Sequence, residues 1–470
     1  MPGNGKGFGK TAVAIVSVVL GAVMFMATPF EGLSPEAMRV LGVLICALGF
    51  WIVDFLPEYV TGLGMLSLWV GLCHVPFGKA YSVFAGSAFW MIVGAFAIGA
   101  AARKCNLLER LSLYILKYMK PTYGGQIYGL LISGFIISPL IPSINGKAAI
   151  AAPIAQNIGE SLGFGKKSNG MAGLFGAMFV SFTIAGLAFL SSTGTNYALV
   201  AMLPKESQEV VTWGWWAKAF LPWGVMVIAA YGIAMQVFFR PEKKIAMSKE
   251  FIEERLARLG RMKREEVICT IIILLTLLAW ATEKVHGVGA GVVAVLAMLA
   301  LIVTGILSTK DFNTLPWSSM IYIGTIVGMA SVIRHVAIDK WVGTLISPYM
   351  GGVLSSPYLF ILAVAGIILV LRFLITSMAS SCSLVILIVG PLMAAYGLHP
   401  MLIVFLTFTI AAGAFFLQYQ NSAYIIAYYA TGGEMLNKWH EIKLAVIYVV
   451  IAVLAHMISV PYWRMLGVIS

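Results

Sequence analysis

Charged residues are scarce in this sequence, 11% of 470, while apolar residues reach 60% and the mean hydropathy is +0.94. A soluble chain has no means of burying that much apolar surface in one core. An apolar solvent removes the constraint. The scarcity excludes a soluble globular protein and places the chain in a membrane. Cysteine is sparse too. Cys46, Cys73, Cys105, Cys269 and Cys382 form no CxxC pair, which excludes a disulfide framework or a zinc site. Acidic residues number 19 against 31 basic ones, and none forms the pair at depth that a membrane-embedded enzyme needs. His74, His286, His335, His399, His440 and His456 are scattered and read as loop or interface residues rather than a catalytic cluster. No phosphate-binding loop of the Walker type is present, so this chain binds no ATP. The formal net charge of +12 sits in short loops between apolar runs, a signal of topology and not a nucleic-acid surface.

Long apolar runs fill the rest. A membrane helix takes roughly 20 such residues. Candidate spans begin near Thr11, Met38, Thr61, Phe84, Met171, Phe220, Val267, Val288, Met320, Met401 and Lys443, which makes about eleven crossings. The stretch from Lys6 to Pro29 reads as a retained first span, because its apolar run is too long for a leader and no small-residue cleavage site follows. The richest basic segment, Arg240 to Glu266, carries Lys243, Lys244, Lys249, Arg255, Arg258, Arg261, Lys263 and Arg264. It reads as a charged amphipathic connector exposed to solvent. Arg103, Lys104, Arg110, Lys117 and Lys120 form a second basic group, and Lys166 with Lys167 a third. Placing these in the cytoplasm puts the N-terminus inside and the C-terminus outside the inner (plasma) membrane.

Two further apolar segments, about 125–163 and 355–398, are broken midway by small and polar residues. Irregular backbone at membrane depth survives only where protein or a water-filled cavity covers it, so both read as re-entrant hairpins. The chain divides into an N-terminal span (1–37), a first repeat (38–239), a cytoplasmic linker (240–266) and a second repeat (267–470). Trp90-Met91-Ile92-Val93-Gly94 corresponds to Ser319-Met320-Ile321-Tyr322-Ile323-Gly324. Glu109-Arg110 then falls on Asp339-Lys340, and each pair opens an amphipathic stretch ending in Tyr-Met, at Tyr118-Met119 and Tyr349-Met350. Ser143 to Pro153 in the first hairpin has the spacing of Ser381 to Pro391 in the second. After each hairpin comes a broken helix, about 171–202 and 401–430. The interruptions are Ser191-Ser192-Thr193-Gly194-Thr195-Asn196 and Gln418-Tyr419-Gln420-Asn421-Ser422. The expected fold is an all-α polytopic membrane protein of two inverted repeats, with a binding site near the midplane.

A helix that stops inside the membrane frees N–H groups at one end and C=O groups at the other. The first attract anions; the second, with hydroxyl and amide oxygens, suit sodium. Ser143, Asn145, Thr193, Thr195, Asn196, Ser381, Cys382, Ser383, Asn421 and Ser422 are the candidate substrate-binding residues. Ser192, Gly194, Ser380 and Gln420 are candidates for ion coupling, with sodium the only ion these cages suggest and no other cofactor expected. For a single Ser, bonding back to its own helix is the ordinary role; four matched interruptions favour a site. Lys147 lies one turn beyond the first tip, and a charge at that depth is costly and usually functional. It either snorkels to water or stands as a fixed cation beside the site. Arg372 is expected to snorkel toward the outer face, and Asp54 and Glu58, flanking Pro57, read as structural.

Surface helix, hairpin and broken helix, repeated with inversion, resemble the divalent anion–sodium symporters of the ion transporter superfamily over roughly residues 40–465. The stretch from His286-Gly287 to Leu307-Ser308-Thr309-Lys310-Asp311-Phe312 and Trp317 also resembles that family's second half. The resemblance implies a homodimer with a fixed scaffold and an elevator-like transport domain. It implies carriage of dicarboxylates or sulfate by sodium symport or by exchange. Where the family has Ser-Asn-Thr at each hairpin tip, this chain has Ser143-Ile144-Asn145 and Ser381-Cys382-Ser383. Where the family has Thr-Pro-Pro-Asn, it has Thr193-Gly194-Thr195-Asn196 and Asn421-Ser422-Ala423-Tyr424. The expected function is transport of a small divalent anion, most directly a dicarboxylate, with sulfate or an organosulfonate as the alternative cargo.

Overall fold

The computed structural model describes residues 5–241, 250–375 and 377–470. Lys243, Lys244 and Lys249 lie outside the described residues, as do the side chains of Lys6, Tyr349 and Met350. Among the described residues the chain is helical throughout, with only an isolated bridge between Leu398 and Ile469.

The first half runs α1 (Gly5–Met26), α2 (Pro35–Val53), α3 (Glu58–Cys73), α4 (Ser87–Lys104), α5 (Leu107–Tyr118), α6 (Tyr123–Ile137), α7 (Ile144–Ser161), α8 (Asn169–Phe179), α9 (Gly194–Ala201) and α10 (Trp213–Phe238). The connector contributes α11 (Glu250–Leu259). The second half runs α12 (Arg264–Ala281), α13 (Ala290–Val303), α14 (Trp317–His335), α15 (Ile338–Leu354), α16 (Pro357–Leu374), α17 (Met378–Met393), α18 (Met401–Gly413), α19 (Ser422–Ala430) and α20 (Lys438–Met465). All eleven span starts expected from the apolar runs fall in or beside one of these helices. Among the described residues, five helical segments are long and apolar enough to cross a membrane unaided, and two bent pairs bring the number to seven.

Local sequence accounts for the boundaries. Ser34, Thr122, Ser168, Thr212 and Asn437 cap α2, α6, α8, α10 and α20 by accepting a backbone N–H. Pro35 and Pro357 occupy first positions, where no N–H is needed. The two surface helices leave their spans at similar bends, 63° from α4 to α5 and 73° from α14 to α15. Both breaks turn on a left-handed residue, Asn106 (φ 53) and Ala337 (φ 58).

The helices sort by burial. Residues 170–188 are buried throughout, as is every residue of α18. These are the first limbs of the two broken helices, and central placement keeps their unwound backbone away from lipid. Leucines of α12, such as Leu274, Leu275 and Leu278, are exposed, as expected of a lipid-facing helix. Close helix contact depends on small residues. A Cβ at Gly94 would lie 2.5 Å from the Ala294 carbonyl oxygen, and one at Gly62 would lie 2.1 Å from Thr325 Oγ1. These glycines seat α4 against α13 and α3 against α14.

The connector differs from a free solvated arm. Within its described part, α11 lies along α5. Lys117 meets Glu253 and Arg255 meets Glu109, each at 3.7 Å. Beneath them Arg110 Nε is 2.9 Å from Glu266, with both side chains buried, and its other nitrogens donate to the carbonyls of Leu259 and Gly260.

Candidate functional site

Each hairpin becomes two helices, α6 with α7 and α16 with α17. In the first, Ser143 caps α7 and its hydroxyl accepts from the Gly146 N–H at 3.1 Å. In the second, the cap of α17 is Ser377, which accepts from the Ser380 N–H at 3.4 Å. Ser377 therefore holds the place that Ser143 holds in the first hairpin. Ser381 lies a turn further on, with its hydroxyl donating to the Ser377 carbonyl at 3.0 Å.

The broken helices have the same construction. After α8 the chain passes through a π turn (Val180–Ile184) and two 3₁₀ turns before Thr193 caps α9. After α18 it passes through a 3₁₀ turn (Gln418–Gln420) before Asn421 caps α19. Asn421 Oδ1 accepts from the Ala423 and Tyr424 N–H groups at 3.0 and 3.2 Å, and its Nδ2 donates to the Ala412 carbonyl at 2.9 Å. Asn196 Nδ2 donates to the Phe189 and Leu190 carbonyls at 3.1 and 3.3 Å. Both amides close off carbonyls that the unwound backbone leaves free.

Hairpins and broken helices meet crosswise: α19 packs on α7, and α9 packs on α17. Between them lies a cavity of about 800 Å³. It brings together Ser143 and Asn145 from the first tip, Thr193 and Thr195 from the first break, and Gln420, Asn421 and Ser422 from the second. Ser422 Oγ donates to Asn145 Oδ1 at 3.1 Å, so residues 277 positions apart share one wall. Hydroxyls, amides and helix N-termini converging on one space can bind an anion without a tight ion pair.

Most of the other candidates lie behind this wall. Ser381, Cys382 and Ser383 are buried within α17 and do not line the cavity; the second tip presents Ser377, Met378 and Ala379 instead. Ser380 is tied to Tyr322, whose hydroxyl lies 2.6 Å from Ser380 Oγ and 2.9 Å from Ser377 Oγ. Asn196 is fully buried. Gly194 serves packing, since a Cβ there would stand 3.1 Å from Phe96. Gln420 braces its own turn, with Oε1 accepting from the Leu417 N–H and Nε2 donating to the Arg372 carbonyl.

Lys147 and Arg372 do not snorkel. Lys147 is 1% exposed. Its ammonium donates to Ser138 Oγ and to the Ser192 carbonyl, both at 3.3 Å, so it binds the unwound stretch of the first broken helix from behind. Arg372 is 0% exposed, and Nη1 donates to the Ile375 carbonyl at 2.8 Å. That corrects the expectation that Arg372 reaches the outer face. Packing of α16 against α18 and α20 encloses it.

Sequence reasoning passed over several lining residues. Asp54, Glu58, Arg103, Thr314, Ser319, Tyr322 and Ser377 all face the cavity. Ser377 carried a legible signal, a serine opening an apolar helical run. Asp54, Glu58 and Arg103 carried none, because charges at the ends of spans read equally well as topology.

Site and fold define a helical membrane protein in which two paired hairpins and two broken helices enclose one cavity. Residues 10–469 match the family model described as the sodium:sulfate symporter transmembrane region. The chain belongs to this family, the divalent anion–sodium symporters, whose members are transporters and not enzymes. It is 24% identical over 347 residues to the chloroplastic dicarboxylate transporter 1 of Spinacia oleracea, covering 72% of this chain and 61% of that protein. It is 23% identical to the citrate/succinate antiporter of Escherichia coli, covering 71% and 74%. The chain spans about three fifths to two thirds of the length of the chloroplastic relatives it matches. Among solved structures, the Alcanivorax borkumensis YdaH transporter shares the fold, with a TM-score of 0.57 at 10% identity over 98% of this chain and 99% of that one.

Proposed function

We propose that the chain is a secondary carrier of small divalent anions, dicarboxylates first, and that it exchanges one anion for another. The observation that carries this reading is the shared wall of Asn145 and Ser422 in an 800 Å³ cavity lined by both hairpin tips and both breaks. The names of the relatives, a dicarboxylate transporter and a citrate/succinate antiporter, support the cargo. Lys147 supports exchange. Its ammonium holds oxygens of the kind a coupling sodium would take, and a cation fixed to the chain supplies no gradient.

Two inverted repeats, 38–239 and 267–470, working as scaffold and transport domains of a homodimer, complete the reading. The matched bends after α4 and α14 and the crosswise packing of hairpins on broken helices support it. Asp54, Arg103 and Thr314 line the cavity. Arg334 donates to the Met202 carbonyl at the end of α9 and ties α14 to the first broken helix.

Uptake of labelled succinate into proteoliposomes tests the proposal. Uptake that requires internal dicarboxylate and ignores sodium is the expected result. Uptake driven by inward sodium alone would replace exchange by symport. Failure to take up succinate under both conditions, with sulfate taken up instead, would replace the cargo.

A further inference from the structure

We propose that Arg103 is the residue that receives an oxyanion group of the substrate, a carboxylate or a sulfate, beside the first hairpin tip. This rests on the reading of the chain as an anion carrier. Arg103 is the next-to-last residue of α4, and it lines the cavity. Its place is fixed by two glycines. A Cβ at Gly146 would lie 3.0 Å from Arg103 Nη1 and 3.0 Å from Ser143 Oγ. A Cβ at Gly99 would lie 3.3 Å from Pro142 and 3.8 Å from the same nitrogen. The guanidinium therefore rests over the first turn of α7, where Ser143 and Asn145 also face the cavity. The absence of a side chain at 146 leaves it room, while a Cβ at 99 would meet it only at ordinary contact distance.

The other basic residues nearby are engaged. Lys104 pairs with Asp311 at 2.6 Å, and Arg110 with Glu266 at 2.9 Å. Arg103 differs: among the described residues its guanidinium meets no hydrogen-bond acceptor and no carboxylate at ion-pair distance. A half-buried guanidinium without acceptors is costly to keep, and an incoming oxyanion supplies what it lacks. Its planar fork matches carboxylate and sulfate oxygens two at a time. The first turn of α7 adds N–H groups, because Gly146 N–H turns to Ser143 Oγ and Lys147 N–H to the Ser143 carbonyl, while Ile144 and Asn145 have no earlier helical carbonyl to bond.

The charge around the cavity gives direction. Asp54 and Glu58 are the carboxylates that line it, and Arg103 is the only cation among the described lining residues. Glu58 belongs to the side of the second tip, next to Ser377. An anion is repelled from that wall and drawn to the Arg103 end. The anchor sits on α4, which packs against α13, and not on the hairpin it faces. It therefore sets affinity on entry while the hairpin encloses the cargo.

Kinetics of Arg103→Gln and Arg103→Lys in proteoliposomes test this, with purified protein checked for monodispersity. Arg103→Gln is expected to raise the succinate KM by about tenfold or more, to keep the maximal rate within about twofold, and to flatten the dependence of KM on ionic strength. Arg103→Lys should recover part of the affinity and the salt dependence, which a merely structural role would not produce. An unchanged KM in Arg103→Gln, or equal losses in both variants, would overturn the assignment. If the unaltered protein carries neither succinate nor sulfate, the carrier reading fails and the anchor with it.

Discussion

At the scale of single residues, Lys147 makes the sharpest statement. A buried ammonium is tolerated only when paired with oxygens, and here Ser138 and the Ser192 carbonyl supply them. Replacing it by alanine should leave the amount of membrane-inserted protein nearly unchanged while altering ion dependence. Uptake by Lys147→Ala is expected to respond to sodium by about tenfold, the equivalent of roughly 1.4 kcal/mol. Sodium titration of uptake in matched proteoliposomes checks this; an unchanged sodium response with unchanged uptake would sink the resident-cation idea. Asp311 offers a pH prediction. Lys104 and Ser308 hydrogen-bond its carboxylate and hold its pKa far below the usual carboxylate range. A depressed pKa in the folded state contributes stability that is present above the unfolded value of about 4 and is lost as pH falls below it. Thermal stability in detergent should therefore drop below about pH 4, and Asp311→Asn should show a smaller drop. The partners are partly exposed, so salt weakens the effect.

At the scale of elements, the bends between spans and surface helices are the features most open to test. Asn106 and Ala337 occupy left-handed backbone at equivalent breaks. Asparagine accepts that conformation readily; alanine pays for its Cβ. Ala337→Gly should stabilise the protein by about 0.5–1 kcal/mol once the greater freedom of glycine in the unfolded chain is subtracted. Thermal unfolding in detergent checks it, and a loss of stability would show that strain at this turn is not what limits α15. The helix caps at the hairpin tips belong to this scale as well. Ser143 and Ser377 have the same local role, although spacing from the downstream prolines pairs Ser143 with Ser381. The mismatch arises because Pro391 lies about one helical turn further from its cap than Pro153 does.

At the scale of the molecule, the two halves are held by interactions that no single segment contains. Arg110 joins the first surface helix to the connector and to the start of α12 through Glu266 and two carbonyls. Removing one partner of a buried pair leaves the other charge uncompensated, which costs about 3–5 kcal/mol. Arg110→Ala should therefore lower stability by that order in denaturant or heat, whereas Lys117→Ala, whose pairing is exposed, should change it by less than about 1 kcal/mol. Equal effects of the two would mean that the buried Arg110–Glu266 pair counts for no more than an exposed one.

Composition and the spacing of apolar runs were enough to specify a helical membrane protein, its candidate spans and its broken segments, because lipid demands long apolar helices and punishes every polar interruption. Motif order was enough to indicate the family. The tertiary structure alone decided which side chains share the cavity. Ser377 rather than Ser381 faces it, Asn196 turns to its own backbone, and Lys147 and Arg372 lie enclosed instead of reaching water. Asp54, Glu58 and Arg103 count in a sequence as charges at the ends of spans. They acquire a role only when α2, α3, α4 and both hairpins converge, because a charge takes its meaning from the groups that surround it, and those groups are far apart along the chain.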